Sequence, residues 1–163
     1  MKKTIYITRH AKSDWHVGAS DYNRPLNPRG SKDAPRMGKH LCSKGFVPEL
    51  IISSPANRAI STARLIAHEV GYNLDRIIEE ESAYNAPYQN HVAILSSIPD
   101  SISSVMLFAH NPGLSYLVEY LTDESIELKT CCIACVELEV ESWSALHAST
   151  CTLKEYISPK NID

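Results

Sequence analysis

The chain has 163 residues, of which 44% are hydrophobic and 21% charged, and its formal net charge is -3. This length and composition are typical of one globular domain, which we predict to span residues 1–163. The 16 basic and 19 acidic residues are scattered along the chain. Nucleic acids and anionic membranes favour a clustered basic surface, so we expect neither as a partner.

The N-terminus, the apolar runs and the cysteines predict where the protein resides. Only five uncharged residues, Thr4 to Thr8, separate Met1-Lys2-Lys3 from Arg9, which is too few for the core of a signal peptide. No run approaches the roughly 18 apolar residues of a membrane-spanning helix. Five cysteines, an odd number, favour reduced thiols over a disulfide framework. We therefore expect a soluble, cytoplasmic protein.

Short apolar runs predict strands. Three of them are Thr4 to Thr8, Glu49 to Ser53 and Val105 to Ala109. Two more strands are predicted late in the chain, at Cys131 to Val140 and at Thr150 to Ile157.

Helices are predicted between these strands. Lys32 to Leu41 follows a turn at Asn27-Pro28-Arg29-Gly30. Ser54-Pro55 indicates an N-cap and a first helical position, and the apolar residues after it recur at helical spacing. The other two helices are predicted over His91 to Ile98 and from Asn111-Pro112 through Leu121. This alternation predicts an α/β fold, a three-layer α/β/α sandwich with a mainly parallel central sheet.

Polar side chains follow three of the predicted strands. In such a sheet, ligands bind beyond the carboxyl ends of the strands. The first strand ends in Arg9-His10, the second in Ser53-Ser54-Pro55 with Arg58 close behind, and the third in His110-Asn111. We therefore expect two arginines and two histidines at one rim of the sheet.

This set of side chains suits a phosphoryl group. Guanidinium groups match phosphate oxygens in bidentate fashion, and helix N-termini offer free N–H donors. Histidine is mostly uncharged at neutral pH and can act as a nucleophile. A phosphohistidine formed on the protein could then be hydrolysed by water, which divides one displacement into two.

Four motifs in order along the chain resemble those of the histidine phosphatase superfamily, whose fold is phosphoglycerate mutase-like. They are Thr8-Arg9-His10-Ala11, Pro25 to Gly30, Ser53 to Ala63 and Ala109-His110-Asn111-Pro112-Gly113. The closing Ile157-Ser158-Pro159-Lys160 is similar to the small SixA-type phosphohistidine phosphatases.

The resemblance implies roles for individual residues. His10 is the expected nucleophile, with Arg9, Arg58 and His110 binding the transferring phosphoryl group. Ser53 and Asn111 are the further residues expected to bind substrate. The resemblance implies no metal and no cofactor.

One residue departs from the family pattern. Ala11 stands where the family signature has glycine, so its methyl group must fit beside the floor of the site.

The leaving group decides between two enzymatic functions. Larger relatives protonate an ester leaving group with a carboxylic acid, for which Glu81 is the best placed candidate among Glu79 to Glu81. This acidic run can equally be a solvated strand end. A phosphohistidine needs such an acid less, because imidazole can leave as a neutral ring. We expect a phosphohistidine phosphatase acting on a phosphorylated protein.

The alternatives are a phosphomonoesterase of small phosphorylated molecules that uses Glu81, and a phosphate-binding module without turnover. Zinc is a further possibility, since Cys132-x2-Cys135 is followed by His147 and Cys151. However, Cys132 and Cys135 are three residues apart, so on a regular strand their side chains point to opposite faces and could not both bind one ion.

Other polar residues receive no firm role. Asp14, Asp21 and Arg24 in the first loop could line the entrance to the site. Most of the remaining histidines are expected at the surface, and His16 could touch substrate. They are His16, His40, His68, His91 and His147.

Overall fold

A computed structural model describes residues 2–139 and 141–162. Six strands form one sheet in the order β3-β2-β4-β1-β5-β6. Their bounds are β1 Lys3–Arg9, β2 Leu50–Ser53, β3 Ile78–Glu79, β4 Ser104–Ala109, β5 Ile133–Leu138 and β6 Cys151–Ile157. Strands β1 to β4 pair in parallel, whereas β5 is antiparallel to both of its neighbours. The prediction of an α/β fold with a mainly parallel sheet is confirmed.

Within the described residues, four α-helices cover the sheet. They are α1 Pro28–Ser43, α2 Asn57–Val70, α3 Tyr88–Ser96 and α4 Gly113–Thr122. Helices α1 and α2 bury Met37 and Ile66 against one face, while α3 and α4 bury Leu95 and Leu117 against the other. None of the helices in the described part of the chain is long and apolar enough to cross a membrane.

Strand β4 shows why the core has two sides. Val105 and Leu107 belong to the cluster under α3 and α4, and Met106 and Phe108 belong to the cluster under α1 and α2. Successive side chains of a strand point to opposite faces, so a strand covered on both faces is apolar at every position. The continuous run Val105 to Ala109 is therefore the signature of a central strand.

Helix α1 begins four residues before its predicted start at Lys32. The Asn27 side chain accepts a hydrogen bond from Gly30 N at 2.8 Å, and Pro28 is the first helical residue. Asparagine at the N-cap followed by proline is a favoured start of a helix. The segment Asn27-Pro28-Arg29-Gly30, predicted as a turn, is thus the cap and first turn of α1.

Helix α2 begins at Asn57, two residues after the predicted first helical position at Pro55. The Ser54 hydroxyl contacts His110 Nε2 at 2.7 Å and accepts from Ala56 N at 3.2 Å, so it does not cap the helix. Helix α3, in contrast, begins earlier than predicted, at Tyr88 instead of His91. Of the strand predicted over Cys131 to Val140, Val140 lies outside the described residues.

Thr62 connects helix α2 to the chain that follows β1. Its hydroxyl is fully buried, accepts from Ala11 N at 2.9 Å and donates to Arg58 O at 2.7 Å. The hydroxyl therefore fixes the position of the backbone next to His10 relative to the first turn of α2. Ala11 itself is buried in the cluster under α1 and α2, where its methyl group is accommodated.

Replacing Thr62 tests this connection. Thr62→Val keeps the shape but leaves the buried Ala11 N–H without a partner, which costs about 1–3 kcal/mol. We expect the free energy of unfolding, measured by urea denaturation, to fall by that amount. Thr62→Ser keeps the hydroxyl and should lose less. Equal stability of Thr62→Val and the wild type would show that the hydroxyl does not hold this junction.

Candidate active site

The carboxyl ends of the three central strands bring the predicted residues together. Arg9 is paired with Ala109 in the register of β1 and β4, so His10 and His110 are the next residues of two adjacent strands. Their ring centroids are 5.3 Å apart. Ser54 follows β2 and donates its backbone N–H to Phe108 O at 2.8 Å, which places the start of α2 beside them.

These residues open on a cavity of about 460 Å³. Its lining includes Arg9, Arg58, His10 and His110, the four side chains expected to form the site. Lys12, Arg24 and Asp21 line it as well, so four cationic side chains face a single carboxylate within this lining. Such a cavity is suited to an anion.

The His10 ring has its tautomer fixed by the backbone. Its Nδ1 lies 2.7 Å from Ala11 O, which can only accept, so Nδ1 carries the proton and Nε2 carries the lone pair. The side chain is 6% exposed, and burial, together with Arg58 and Arg9 nearby, lowers its pKa to about 3. His10 is therefore neutral at physiological pH, with Nε2 as a nucleophilic nitrogen.

His110 presents a hydrogen-bond donor. Burial, His10 and Arg58 lower its pKa to about 3, so this ring is also neutral. The Ser54 hydroxyl accepts from Ala56 N and lies 2.7 Å from His110 Nε2. We assign the hydroxyl proton to this contact, since the described residues offer it no other acceptor. The ring proton therefore resides on Nδ1. This atom is buried and has no hydrogen-bond partner among the described residues.

In both Arg9 and Arg58, the terminal Nη atoms of the guanidinium make hydrogen bonds, whereas Nε makes none among the described residues. Arg9 donates to Leu128 O at 3.3 Å, and Arg58 donates to Asp21 O at 2.6 Å and to Asn85 Oδ1 at 3.3 Å. The Nε atoms of both arginines are buried, and within the described ranges neither has a partner. A buried donor without an acceptor costs about 1–3 kcal/mol, so a ligand that accepts these bonds gains affinity.

Asp21 is the carboxylate in the lining of the cavity, and it was assigned no role from the sequence. It accepts from Tyr84 Oη at 2.5 Å, from Asn85 Nδ2 at 3.0 Å and from Arg58 Nη2 at 3.2 Å. The Tyr84 hydrogen bond, followed by those from Asn85 and Arg58, lowers the pKa of Asp21 far below its usual range. Asp21 is therefore ionised at working pH and positions Arg58 rather than donating a proton.

Arg24 is a second residue of this loop that the sequence analysis left without a firm role and that lines the cavity. It is 6% exposed, donates Nε–H to Ser13 Oγ at 2.9 Å and pairs with Asp21 Oδ1 at 2.9 Å. Arg24 and Asp21 lie in the irregular segment between β1 and α1, where no periodicity indicates which side chains turn inward. Their proximity in sequence to the end of β1 is the signal that could have found them.

The structure does not bring Glu81 or Ser53 to the cavity wall. Glu81 is exposed, and its Oε1 accepts from Tyr22 Oη at 3.1 Å. Ser53 is fully buried, and its hydroxyl donates to Ser54 O at 2.8 Å. Asn111 does line the cavity, where its amide donates to Leu128 O at 2.5 Å; its contact with substrate stays a prediction.

The structure decides two further expectations from the sequence, the surface position of His91 and the possible zinc site. His91, expected at the surface, is fully buried on α3, and burial lowers its pKa to about 4. For zinc, no three His, Cys, Asp or Glu side chains within residues 2–139 and 141–162 are grouped to hold a metal ion. The spacing of Cys132, Cys135, His147 and Cys151 therefore does not form a zinc site in the described structure.

Buried neutral histidines predict a fold that is labile in acid. In the unfolded chain His10, His91 and His110 each take up a proton near pH 6.5, whereas in the folded chain they resist it until about pH 3–4. Stability is therefore lost as the pH falls from 6.5 towards 4, by up to about 1.4 kcal/mol per pH unit for each histidine.

Urea denaturation between pH 7.5 and pH 4.5 measures this slope. His91→Gln removes one of the three groups and should reduce the slope by about 1.4 kcal/mol per pH unit below pH 6. His68→Gln, at an exposed position on α2, should leave it unchanged. An unchanged slope in His91→Gln would contradict the buried neutral state of His91.

Comparisons with known proteins agree with this geometry. The family model of the histidine phosphatase superfamily (branch 1) matches residues 5–83. An uncharacterized chloroplastic protein of Arabidopsis thaliana is 30% identical over 158 residues, which cover 91% of this chain and 72% of that protein.

Solved structures share the whole fold. The protein histidine phosphatase SixA complexed with tungstate has a TM-score of 0.85 at 23% identity, covering 97% of this chain and 98% of that one. A mycobacterial glucosyl-3-phosphoglycerate phosphatase has a TM-score of 0.68 at 13% identity, covering 94% and 98%. At these identities the likeness shows the fold alone. The match of the family model over residues 5–83 shows that the chain belongs to the histidine phosphatase superfamily, branch 1.

Proposed function

We propose that the protein is a phosphohistidine phosphatase that takes the phosphoryl group of a phosphorylated protein onto His10 and releases it to water. One observation carries the proposal. Three buried donors without partners among the described residues, Nε of Arg9, Nε of Arg58 and Nδ1 of His110, lie around a neutral His10 whose Nε2 is free. The arrangement supplies donors for the phosphoryl oxygens and a nucleophile for the phosphorus.

Binding of the phosphoryl group would satisfy these donors. Charge-assisted hydrogen bonds are worth about 1.5–3 kcal/mol each, and the guanidinium charges add to them. Asp21 is the opposing charge, but its carboxylate is engaged by Tyr84, Asn85 and Arg58. The proposal requires no metal or cofactor, because arginines and a histidine supply the positive charge and the donors.

In the first step, His10 Nε2 attacks the phosphorus in line with the bond to the leaving imidazole. The P–N bond of the substrate breaks as the new P–N bond forms. The substrate ring, protonated on its other nitrogen, leaves as neutral imidazole. The phosphorylated His10 ring keeps its proton on Nδ1, where Ala11 O stabilises the positive charge.

In the second step, water attacks the phosphorus of phospho-His10. The same bond to His10 Nε2 breaks, and the ring leaves as neutral imidazole with Nδ1–H still bonded to Ala11 O. One proton of the water passes to a phosphoryl oxygen, and inorganic phosphate is released as H2PO4−. In both steps the phosphoryl oxygens accept hydrogen bonds from Arg9, Arg58 and His110. These donors stabilise the negative charge that develops on the oxygens in the transition state.

Neither Asp21 nor Glu81 is placed to protonate an ester leaving group, which favours a substrate with a P–N bond over a phosphate ester. An alkoxide leaving group needs a proton, yet Asp21 is held ionised and Glu81 lies outside the cavity lining. An imidazole leaving group needs no added proton, because the ring is already protonated on its other nitrogen and leaves as a neutral molecule. This supports phosphohistidine as the substrate and leaves the ester reaction, the alternative with Glu81 as acid, without a placed proton donor.

The fold is consistent with a protein substrate. SixA, which shares the fold across 97% of this chain, is named a protein histidine phosphatase and binds tungstate, a tetrahedral oxyanion like phosphate. We propose by this analogy a phosphohistidine-bearing signalling protein of the cytoplasm as the partner, rather than a nucleic acid or a membrane.

An activity panel tests the proposed function. Phosphate release is measured from a phosphohistidine protein and from glycerol 2-phosphate, an ester whose alkoxide leaving group needs a proton, with His10→Ala as the blank. We expect turnover of the phosphohistidine protein, a loss of about 10⁴-fold or more in His10→Ala, and no more than a twofold change in Glu81→Gln. Strong ester turnover that depends on Glu81 would support a phosphomonoesterase instead. Binding of phosphate without turnover of either substrate would support a phosphate-binding module.

A further inference from the structure

Trp15 is a large apolar side chain left exposed at the phosphoryl cavity. It follows His10 by five residues, lines the same cavity and is 73% exposed. The chain has two tryptophans, and the other, Trp143, is fully buried in the core. An exposed indole in the lining of this cavity is available to contact the part of a ligand that extends beyond the phosphoryl group.

The indole is held in place by the site itself. Arg24 Cζ lies 3.5 Å from the centroid of the Trp15 ring, so the guanidinium covers one face. Arg24 is in turn fixed by Ser13 Oγ and by Asp21, and Asp21 binds Arg58. A chain of contacts thus connects the ring to an arginine of the phosphoryl site, while the 73% exposure means that the ring remains open to solvent elsewhere.

We propose that Trp15 is a specificity-determining residue that contacts the imidazole ring of the phosphohistidine as its phosphoryl group enters the cavity. This inference rests on the proposed function. The leaving group is attached to the phosphorus and must extend from the cavity toward its mouth. Aromatic rings attract one another in offset or edge-to-face arrangements, and a protonated imidazole is also attracted to the π face of an indole. A leaving group without a ring gains nothing from Trp15.

Kinetics on three substrates test the proposal. They are phosphoramidate, which has no ring, the free amino acid phosphohistidine, and a phosphohistidine protein. We expect Trp15→Ala to lower kcat/KM about 5- to 10-fold for the two substrates with a ring and less than twofold for phosphoramidate. Trp15→Phe retains an aromatic ring and should recover most of the loss. Val47→Ala, an exposed apolar position in the loop before β2, serves as the matched control.

An equal loss on phosphoramidate would overturn the proposal, since Trp15 would then act through Arg24 on phosphoryl binding. A loss confined to the phosphohistidine protein would also overturn it, because the contact would be with the protein around the histidine. Unchanged kinetics on all three substrates would do the same.

Fluorescence quenching gives a readout that does not depend on turnover. Acrylamide reaches the exposed Trp15 but not the buried Trp143, so quenching reports on Trp15. In His10→Ala, free phosphohistidine should reduce quenching, whereas inorganic phosphate should not. Calorimetry confirms that each ligand is bound.

Bound phosphohistidine that leaves Trp15 equally accessible would overturn this inference alone. If the wild type turns over no phosphohistidine substrate, the proposed function fails, and the quenching measurement still decides whether Trp15 contacts the ring. Absence of phosphohistidine binding, together with absence of turnover by the wild type, would defeat both.

Discussion

The burial of cationic and neutral donors around one histidine is the constraint on which the site depends. Arg58, His10 and His110 are all at most 6% exposed, and Asp21 is the carboxylate that balances the arginines within the cavity lining. Burial, and the positive charges held close by, disfavour a further proton, which keeps both histidines neutral. The same surroundings favour an anion with several acceptor oxygens. Nucleophile and anion site therefore arise from one electrostatic arrangement.

The fold supplies this arrangement through its topology. Adjacent parallel strands β1 and β4 end in register, so His10 and His110 emerge side by side. Thr62 connects the first turn of α2 to the backbone after His10, which relates Arg58 to the nucleophile. The buried hydroxyl and the strand register thus position groups that come from distant parts of the sequence. A small displacement of either group would weaken the phosphoryl site, because transition-state hydrogen bonds depend on placement.

The sequence predicted roles for the residues at strand ends and assigned none to those placed by irregular backbone. Arg9, His10 and His110 follow apolar runs, and a strand that ends at the sheet rim leaves little choice of position. Asp21 and Arg24 lie in a segment without periodicity, so their inward direction could not be predicted. Ser54 was expected to cap a helix because serine before proline is typical of an N-cap, but its hydroxyl contacts His110 instead. His91 was among the histidines of which most were expected at the surface, because a single polar residue does not show which face of a helix is buried. Glu81 was chosen by analogy with larger relatives and lies outside the cavity lining.

The central claim is that His10 Nε2 carries the phosphoryl group between substrate and water. The direct measurement is a single-turnover reaction with a ³²P-labelled phosphohistidine protein, quenched in alkali, in which phosphohistidine is stable, and followed by peptide mapping. We predict label on the peptide that contains His10, formed before phosphate is released and absent from His10→Ala. Phosphate release by the wild type with no label on His10 at any time, or undiminished release by His10→Ala, would contradict the account.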